Sequence, residues 1–130
     1  MPVAFHRAFD MCNDLGNALE TLIALGFVRV LTSGAAENAL TGTKVISNLI
    51  AQAKGRIQVM PGAGINPSNI SKIKTLTGAE TFHSSARETV MSKMTYRNQS
   101  AKMGTVTDEY QYEQTSTAIV KNLVLNLNQL

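Results

Sequence analysis

The residues of this sequence that are best suited to chemistry are two glycines followed by an asparagine–proline pair. Residues 59–69 read VMPGAGINPSN: an apolar run meets a turn that holds Gly62 and Gly64, and Asn66 before Pro67 is suited to opening a helix. Bare glycine backbone between a strand and a helix is typical of a place where an anionic group approaches the chain. We therefore expect an anion site here. The alternative is that the glycines only make a tight turn, in which Gly-x-Gly is common.

The composition limits the class of protein. Hydrophobic residues make up 44% and charged residues 16% of the 130 residues, which is typical of a globular domain with its own core. The net charge is +3 and the basic residues are scattered, so we expect no nucleic-acid partner. The single cysteine, Cys12, excludes an internal disulfide and fits a reducing compartment, which predicts a cytoplasmic location. No apolar stretch approaches the ~20 residues of a membrane helix, so we expect no membrane partner.

Strand and helix patterns alternate along the chain. Strands are predicted at residues 2–9, 27–33, 56–60 and 80–87, and helices from Asp14 to about Leu25, at 43–54, from Asn66 to Gly78, and at about 110–125. The first helix illustrates the signals: Asp14 is a typical N-cap, and Gly26 stands where a helix end favours a left-handed residue. Four alternations predict an α/β fold of four parallel βα units.

Four parallel βα units fit either an open doubly wound sheet or part of a (β/α)8 barrel. A whole barrel needs about 250 residues, and this chain has 130. No repeat or linker divides it, so we expect one domain or half of one. Residues 88–107 interrupt the alternation as a long loop, and such loops are functional, disordered, or a sign of wrongly assigned elements.

Four motifs together resemble the CutC family of copper homeostasis proteins. PVAFHRAFDMC at 2–12, ALETLIALGFVRVLTSG at 18–34, GRIQVMPGAGI at 55–65 and FHSSAR at 82–87 follow one another as they do in that family. The resemblance implies a cytosolic (β/α)8 TIM barrel. The domain 1–130 would be its C-terminal half, strands five to eight, and the chain would be a fragment without the first four βα units.

The resemblance also gives the glycine turn a place in the barrel. The loops after strands seven and eight of such barrels often form a phosphate site. In this chain those loops are GAGIN at 62–66 and SSAR at 84–87. The helix N-terminus offers N–H groups and a positive dipole end, and an arginine adds a charged fork. The expected anion-binding residues are Gly62, Gly64, Asn66, Ser85 and Arg87.

Both histidines are expected to point into the barrel. Side chains alternate along a strand, so the face opposite the outward phenylalanines of the first strand carries His6 and Asp10. The same argument turns His83 inward in the fourth strand. We expect His6 and His83 to serve as catalytic acid or base, or alternatively as neutral core groups. Arg7 falls on the outer face, where a salt bridge to a helix is expected.

Copper is the cofactor that the resemblance implies. Copper(I) favours thiolate and thioether ligands. Cys12 beside Met11 lies just past the end of a strand, on the functional side of a barrel, and is the expected metal ligand. Met91, Met94 and Met103 are an alternative cluster, although methionine more often fills gaps. If the family's ligands lie in the missing half, this chain binds copper poorly or not at all.

Three functions remain open at this stage. The first is a CutC-type copper homeostasis protein with the copper ion as its partner. The second is an enzyme acting on a phosphorylated or otherwise anionic small molecule, and the third is a non-functional truncated product. Half a barrel leaves open strand edges, so we expect a homo-oligomer or pairing with the missing N-terminal half.

Overall fold

Three parallel strands form the sheet of the first part of the chain. The computed structural model describes residues 1–105 and 108–129, and in it the strands β1 (Ala4–Phe5), β2 (Arg29–Thr32) and β3 (Gln58–Pro61) lie side by side in that order. Val30 of the central strand is paired with both neighbours, Phe5 and Val59. Because all three strands run the same way, their carboxyl ends meet at one edge of the sheet.

Helices α1 (Leu15–Ala24), α2 (Thr43–Ala53) and α3 (Ile70–Thr77) follow the three strands. The Asp14 side chain accepts a hydrogen bond from the Asn17 N–H at the start of α1, as predicted for an N-cap. Gly78 ends α3 in a left-handed conformation. The helices bury one face against the sheet, and each large aliphatic side chain buried there contributes about 1.5–3 kcal/mol. This core includes Leu19, Leu22, Val30, Ile46, Leu49, Val59, Ile70 and Ile73.

The fourth parallel strand, predicted at residues 80–87, is not formed, and that prediction was wrong. Residues 81–86 have no regular secondary structure, although the His83 N–H still donates to the Pro61 carbonyl at 2.9 Å. Ala86 adopts a left-handed backbone with φ of 47°, which an extended strand does not tolerate. The chain therefore turns away from the sheet, and β4 (Arg87–Met91) pairs antiparallel with β5 (Gln111–Thr115) instead.

The end of the chain also differs from the prediction. The long loop predicted at 88–107 begins as β4, and its last residues, 106 and 107, lie outside the described part of the chain. The helix predicted at about 110–125 begins only at Thr117, because β5 precedes it; this helix, α4, is Thr117–Asn128. Its carbonyls accept hydrogen bonds from the side chains of Ser71 and Lys74 on α3. Among the described residues, no helix has the length and apolar character needed to cross a bilayer.

Candidate ligand site at the carboxyl edge of the sheet

Two neighbouring pockets lie beyond the carboxyl ends of the strands. The first, which we call the Arg87 pocket, has a volume of about 330 Å³. It brings together four of the predicted anion-binding residues. Its lining consists of Gly64, Ile65, Asn66, Pro67, Ser85, Ala86, Arg87, Glu113 and Ile119. Residues that are far apart in the sequence thus meet around one space, as the prediction required.

The two glycines of the turn are needed for different reasons. Gly62 is buried, and a Cβ there would lie 2.5 Å from Leu31 Cδ1 and 3.4 Å from His83 Cβ. Packing of the chain against itself therefore explains Gly62, which lines neither pocket. Gly64 is exposed and has φ of +70°, a left-handed backbone that side chains disfavour. Of the two glycines, Gly64 is thus the one whose backbone is exposed.

The helix after this turn begins later than predicted. Asn69, not Asn66, is the N-cap of α3. The Asn66 Oδ1 accepts hydrogen bonds from the Ser68 N–H at 2.9 Å and the Ser68 hydroxyl at 2.6 Å. The Asn69 Oδ1 in turn accepts from the Asn66 N–H at 2.9 Å. Side chains of the turn therefore accept hydrogen bonds from N–H groups that were expected to bind an anion. Fewer backbone N–H groups than predicted are left to contact an anion.

The charge in the Arg87 pocket is shared with a carboxylate. Arg87 Nη1 donates to Glu113 Oε2 at 3.0 Å, and the two side chains are 60% and 58% exposed. An exposed pair of this kind is worth little to stability. For ligand binding it matters more, because Glu113 stands beside the guanidinium and repels an incoming anion.

The second pocket, which we call the Arg7 pocket, adjoins the first and has a volume of about 260 Å³. Its lining consists of Arg7, Leu31, Ala63, Gly64, Ile65, His83, Ser84 and Ser85. His83 is exposed and lines this pocket. The prediction that Arg7 faces outward was wrong, since its side chain lines this pocket at the carboxyl edge of the sheet.

A short 3-10 helix explains why the alternation argument failed for the first strand. The extended backbone ends at Phe5, and residues Arg7–Met11 form the 3-10 helix. His6 caps it, because the His6 Nδ1 accepts a hydrogen bond from the Ala8 N–H at 3.1 Å. His6 is exposed and is not among the residues that line the Arg7 pocket. The structure therefore does not bring His6 and His83 together in one pocket.

The Asp10 carboxylate lies at the centre of a dense hydrogen-bond network. Its Oδ2 accepts from Arg7 Nε at 2.9 Å and from the Ser33 hydroxyl at 3.0 Å. Its Oδ1 accepts from the Thr32 hydroxyl at 2.5 Å and from the Ala35 N–H at 3.1 Å. Asp10 thus joins the end of β1 to the end of β2.

The network holds Asp10 in its charged form. Burial raises the pKa of the Asp10 carboxyl, but the hydrogen bonds from Thr32, from backbone N–H groups and from Arg7 together lower it more. The pKa therefore lies below its ordinary value of 3.8. At neutral pH, Asp10 is a fixed negative charge that orients the guanidinium of Arg7.

The predicted metal ligand, Cys12, lies on the surface. Its Sγ is 3.9 Å from the Ala8 carbonyl oxygen, a weak contact, and Met11 beside it is 87% exposed. The alternative ligands Met91, Met94 and Met103 are exposed as well. Over residues 1–105 and 108–129, no three His, Cys, Asp or Glu side chains are grouped as metal ligands would be.

Sequence reasoning missed the partners of Asp10. A signal was available: Asp10 follows the first strand, and Thr32 and Ser33 stand at the end of the second. Polar side chains at the carboxyl ends of adjacent parallel strands are brought to the same edge. The prediction of one strand over residues 2–9 obscured the contact of Asp10 with Arg7, because it placed Arg7 on the opposite face of that strand.

The structure defines a βα protein with a parallel three-stranded sheet and two pockets at the carboxyl edge of that sheet. The sequence profile of the CutC family matches residues 1–88, and this chain belongs to the CutC family. That confirms the family expected from the motifs.

Relatives with curated descriptions match almost the whole chain. The human protein described as copper homeostasis protein cutC homolog is 51% identical over 97% of this chain, and the mouse protein of that name is 50% identical over 97%. A family protein CutC from Parabacteroides distasonis is 48% identical over 93% of the chain. The chain spans about half the length of these relatives, 46% of the human protein and 51% of the bacterial one.

A solved structure supports the fold. The crystal structure of a CutC protein from Streptococcus agalactiae has a TM-score of 0.61 and 34% sequence identity to this chain. The match covers 64% of this chain and 41% of the other.

Proposed function

We propose that this protein serves copper homeostasis as a cytosolic, copper-binding protein of the CutC type. The observation that carries the proposal is similarity along nearly the full chain to relatives described as copper homeostasis proteins, at 51% identity for the human one. Because the chain spans 46% of that relative, the activity of the longer protein is itself part of the proposal.

Cys12 is the ligand that we assign to copper(I). It carries the chain's single thiol, is exposed, and has the thioether of Met11 as its sequence neighbour. Copper(I) prefers such sulfur ligands to oxygen and nitrogen. Cys12 directly follows the 3-10 helix Arg7–Met11 that comes after β1.

A competition titration tests the assignment. Copper(I) bound to a chromophoric chelator is offered to the reduced protein, and the absorbance of the chelator complex is followed. Cys12→Ser should weaken copper(I) binding by at least about tenfold, since a hydroxyl is a poor ligand for a soft ion. Met103→Leu removes an exposed sulfur elsewhere and should leave the curve unchanged. If wild type and Cys12→Ser compete equally, Cys12 is not the ligand.

A second candidate function is that of an enzyme acting on a phosphorylated or otherwise anionic small molecule. The observation that favours it is the meeting of Gly64, Asn66, Ser85 and Arg87 around one pocket, with His83 in the adjoining one. His83 would serve as acid or base, because histidine is the side chain that most often takes this role in catalysis.

Calorimetric titration with inorganic phosphate tests this second candidate. Gly64→Val should block approach to the backbone, both through bulk and through strain at a positive φ. If Arg87 holds the anion, Arg87→Ala should weaken binding by about 1.5–3 kcal/mol, the scale of hydrogen bonds to charged groups. Unchanged phosphate affinity in Gly64→Val would contradict the proposal of an anion site at this turn.

Association with a second chain is also proposed, either another copy or a separate N-terminal half. Unpaired strand edges favour pairing. Exposed apolar side chains also stand immediately before β1 and β2: Val3 is 46% and Val28 is 48% exposed. Light scattering tests this proposal, and a stable monomer of 14.0 kDa would contradict it.

A further inference from the structure

We propose that the Arg7 pocket, and not the Arg87 pocket, receives the phosphate group of a small-molecule ligand, with Arg7 as its cationic partner. This inference deepens the small-molecule function proposed above and rests on it. It moves the charged contact from the predicted residue Arg87 to one that the sequence placed on the outer face. Three features of the Arg7 pocket carry it.

The first feature is that Arg7 is held in place before any ligand arrives. Its Nε donates to Asp10 Oδ2 at 2.9 Å and its Nη2 donates to the Ser33 hydroxyl at 2.7 Å. Ser33 is fully buried, and its single hydroxyl proton has two acceptors within reach, Asp10 Oδ2 at 3.0 Å and the Ala36 carbonyl oxygen at 2.7 Å, so its position is fixed. A guanidinium fixed at two points loses little conformational entropy when a ligand binds.

The second feature is the placement of the two charges. The Asp10 side chain is 6% exposed, whereas the Arg7 side chain is 42% exposed. Hydroxyl and backbone donors cover the carboxylate, so a ligand in the pocket meets the guanidinium first. Within the described part of the chain, Arg7 Nη1 has no hydrogen-bond partner, which leaves donors for the two-point contact that arginine makes with phosphate.

The Arg87 pocket has the opposite arrangement. There the Glu113 side chain is 58% exposed and the Arg87 side chain is 60% exposed, so a ligand would meet both charges. An anion binding to Arg87 would have to displace or tolerate this exposed carboxylate. An anion binding to Arg7 meets a carboxylate that is already covered.

The third feature is the set of other side chains that line the Arg7 pocket. His83 and Ser85 are exposed and line the same pocket, and Gly64 lines it without a side chain. Ser84 is not available, because its hydroxyl donates to the Ile65 carbonyl at 2.7 Å. The pocket thus holds an imidazole and a hydroxyl besides the guanidinium, all three able to donate hydrogen bonds to phosphate oxygens.

The imidazole signals in an NMR titration with inorganic phosphate test the inference. The chain has two histidines, and His6 lies outside the pocket, so it serves as an internal control. The His83 ring signals should shift on addition of phosphate and the His6 signals should not. Arg7→Gln should weaken the apparent affinity by at least about tenfold. Arg97→Gln removes the same charge from a residue stacked on Tyr110, away from both pockets, and should change the affinity less than about twofold.

Arg87→Gln separates the inference from the function on which it rests. If Arg87→Gln abolishes the response while Arg7→Gln keeps it, the inference is overturned and the small-molecule proposal stands. If phosphate leaves His83 unmoved in the wild type, both are overturned. Thermal unfolding checks that each variant folds. Should Arg7→Gln fail to fold, Arg7→Lys replaces it: lysine keeps the charge but lacks the planar fork that makes two-point contacts with phosphate. Wild-type affinity in that variant would contradict the role of the fixed guanidinium.

Discussion

Replacing Asp10 by asparagine should cost a large part of the stability of this fold. The substitution keeps the size of the side chain but removes its charge and turns one oxygen into an NH2 group. Either orientation of the amide faces donors: Oδ1 accepts from Thr32 and Ala35, and Oδ2 accepts from Arg7 and Ser33. At least one set of contacts is therefore lost.

The magnitude follows from the kinds of hydrogen bond. Bonds to a charged group contribute about 1.5–3 kcal/mol each. The bond from Arg7 contributes less, because that side chain is 42% exposed and water screens it. We expect Asp10→Asn to lower the free energy of unfolding by about 2–4 kcal/mol, against a total of about 5–15 kcal/mol.

Urea unfolding followed by circular dichroism measures this loss. The midpoint should fall by about 1–2 M with an unchanged slope. Asp14→Asn is the matched control: Asp14 is an exposed N-cap, and asparagine caps a helix as well as aspartate does, so the midpoint should hardly move. A loss below about 1 kcal/mol in Asp10→Asn would refute the network's role in stability.

Acid should narrow the difference between wild type and Asp10→Asn. The folded-state pKa of Asp10 is lowered below 3.8, so the carboxylate's stabilisation is present above the unfolded value and is lost as pH falls through the folded value. The gap between the two midpoints should be full near neutrality and shrink below about pH 4. A gap that stays constant down to strongly acidic pH would mean that the charge is not what stabilises the fold.

Two further predictions concern backbone space and the ion pair between Arg56 and Glu20. Gly42→Ala should destabilise the fold by about 3 kcal/mol, because a Cβ would lie 1.8 Å from the Ser33 carbonyl oxygen; Gly26→Ala, with φ of +80° but nothing within 4 Å, should cost only about 1 kcal/mol of strain. Equal thermal unfolding temperatures for the two variants would contradict the steric argument. Hydrogen bonds from Arg56 and, second, from Gln52 lower the pKa of Glu20 to about 2. An NMR titration of that carboxyl should show its midpoint move part of the way toward 4.5 in Arg56→Gln. A midpoint that Arg56→Gln leaves unchanged would show that Arg56 is not the cause.

The sequence predicted those parts of the fold that local patterns determine. The helix capped by Asp14, the strands at 27–33 and 56–60, and the helix that ends at Gly78 are present with small changes in their bounds. Their apolar side chains repeat at the period of the element, and their ends carry residues that favour an end. Such signals lie within a few residues of one another and can be read without the rest of the chain.

The errors arose where a local hydrogen bond or a distant partner decides the structure. His6 caps a 3-10 helix through its own side chain, and this ends the first strand early. The left-handed backbone at Ala86 turns the chain away from the sheet. An alanine in the sequence does not predict such a conformation. The pairing of β4 with β5 joins residues such as Glu88 and Gln114, and the polar run QYEQT carries no apolar alternation to reveal it.

The candidate site was predicted in part for the same reasons. Four predicted residues line one pocket, as expected: Gly64, Asn66, Ser85 and Arg87. They belong to the glycine turn and to the FHSSAR motif, which both lie at the carboxyl edge of the sheet. Arg7 was missed, since its direction depends on the 3-10 helix. Sequence reasoning could name the segments around the site but not which arginine carries an available charge.

The identity of the atoms that bind copper tests the central proposal most directly. The reduced protein is loaded with copper(I), freed of unbound metal, and examined by X-ray absorption at the copper edge, with Cys12→Ser as the comparison. The proposal predicts that copper stays with the wild type and is coordinated by sulfur, and that Cys12→Ser loses most of the metal. A wild-type chain that retains no copper, or retains it on nitrogen and oxygen alone, would contradict the proposal.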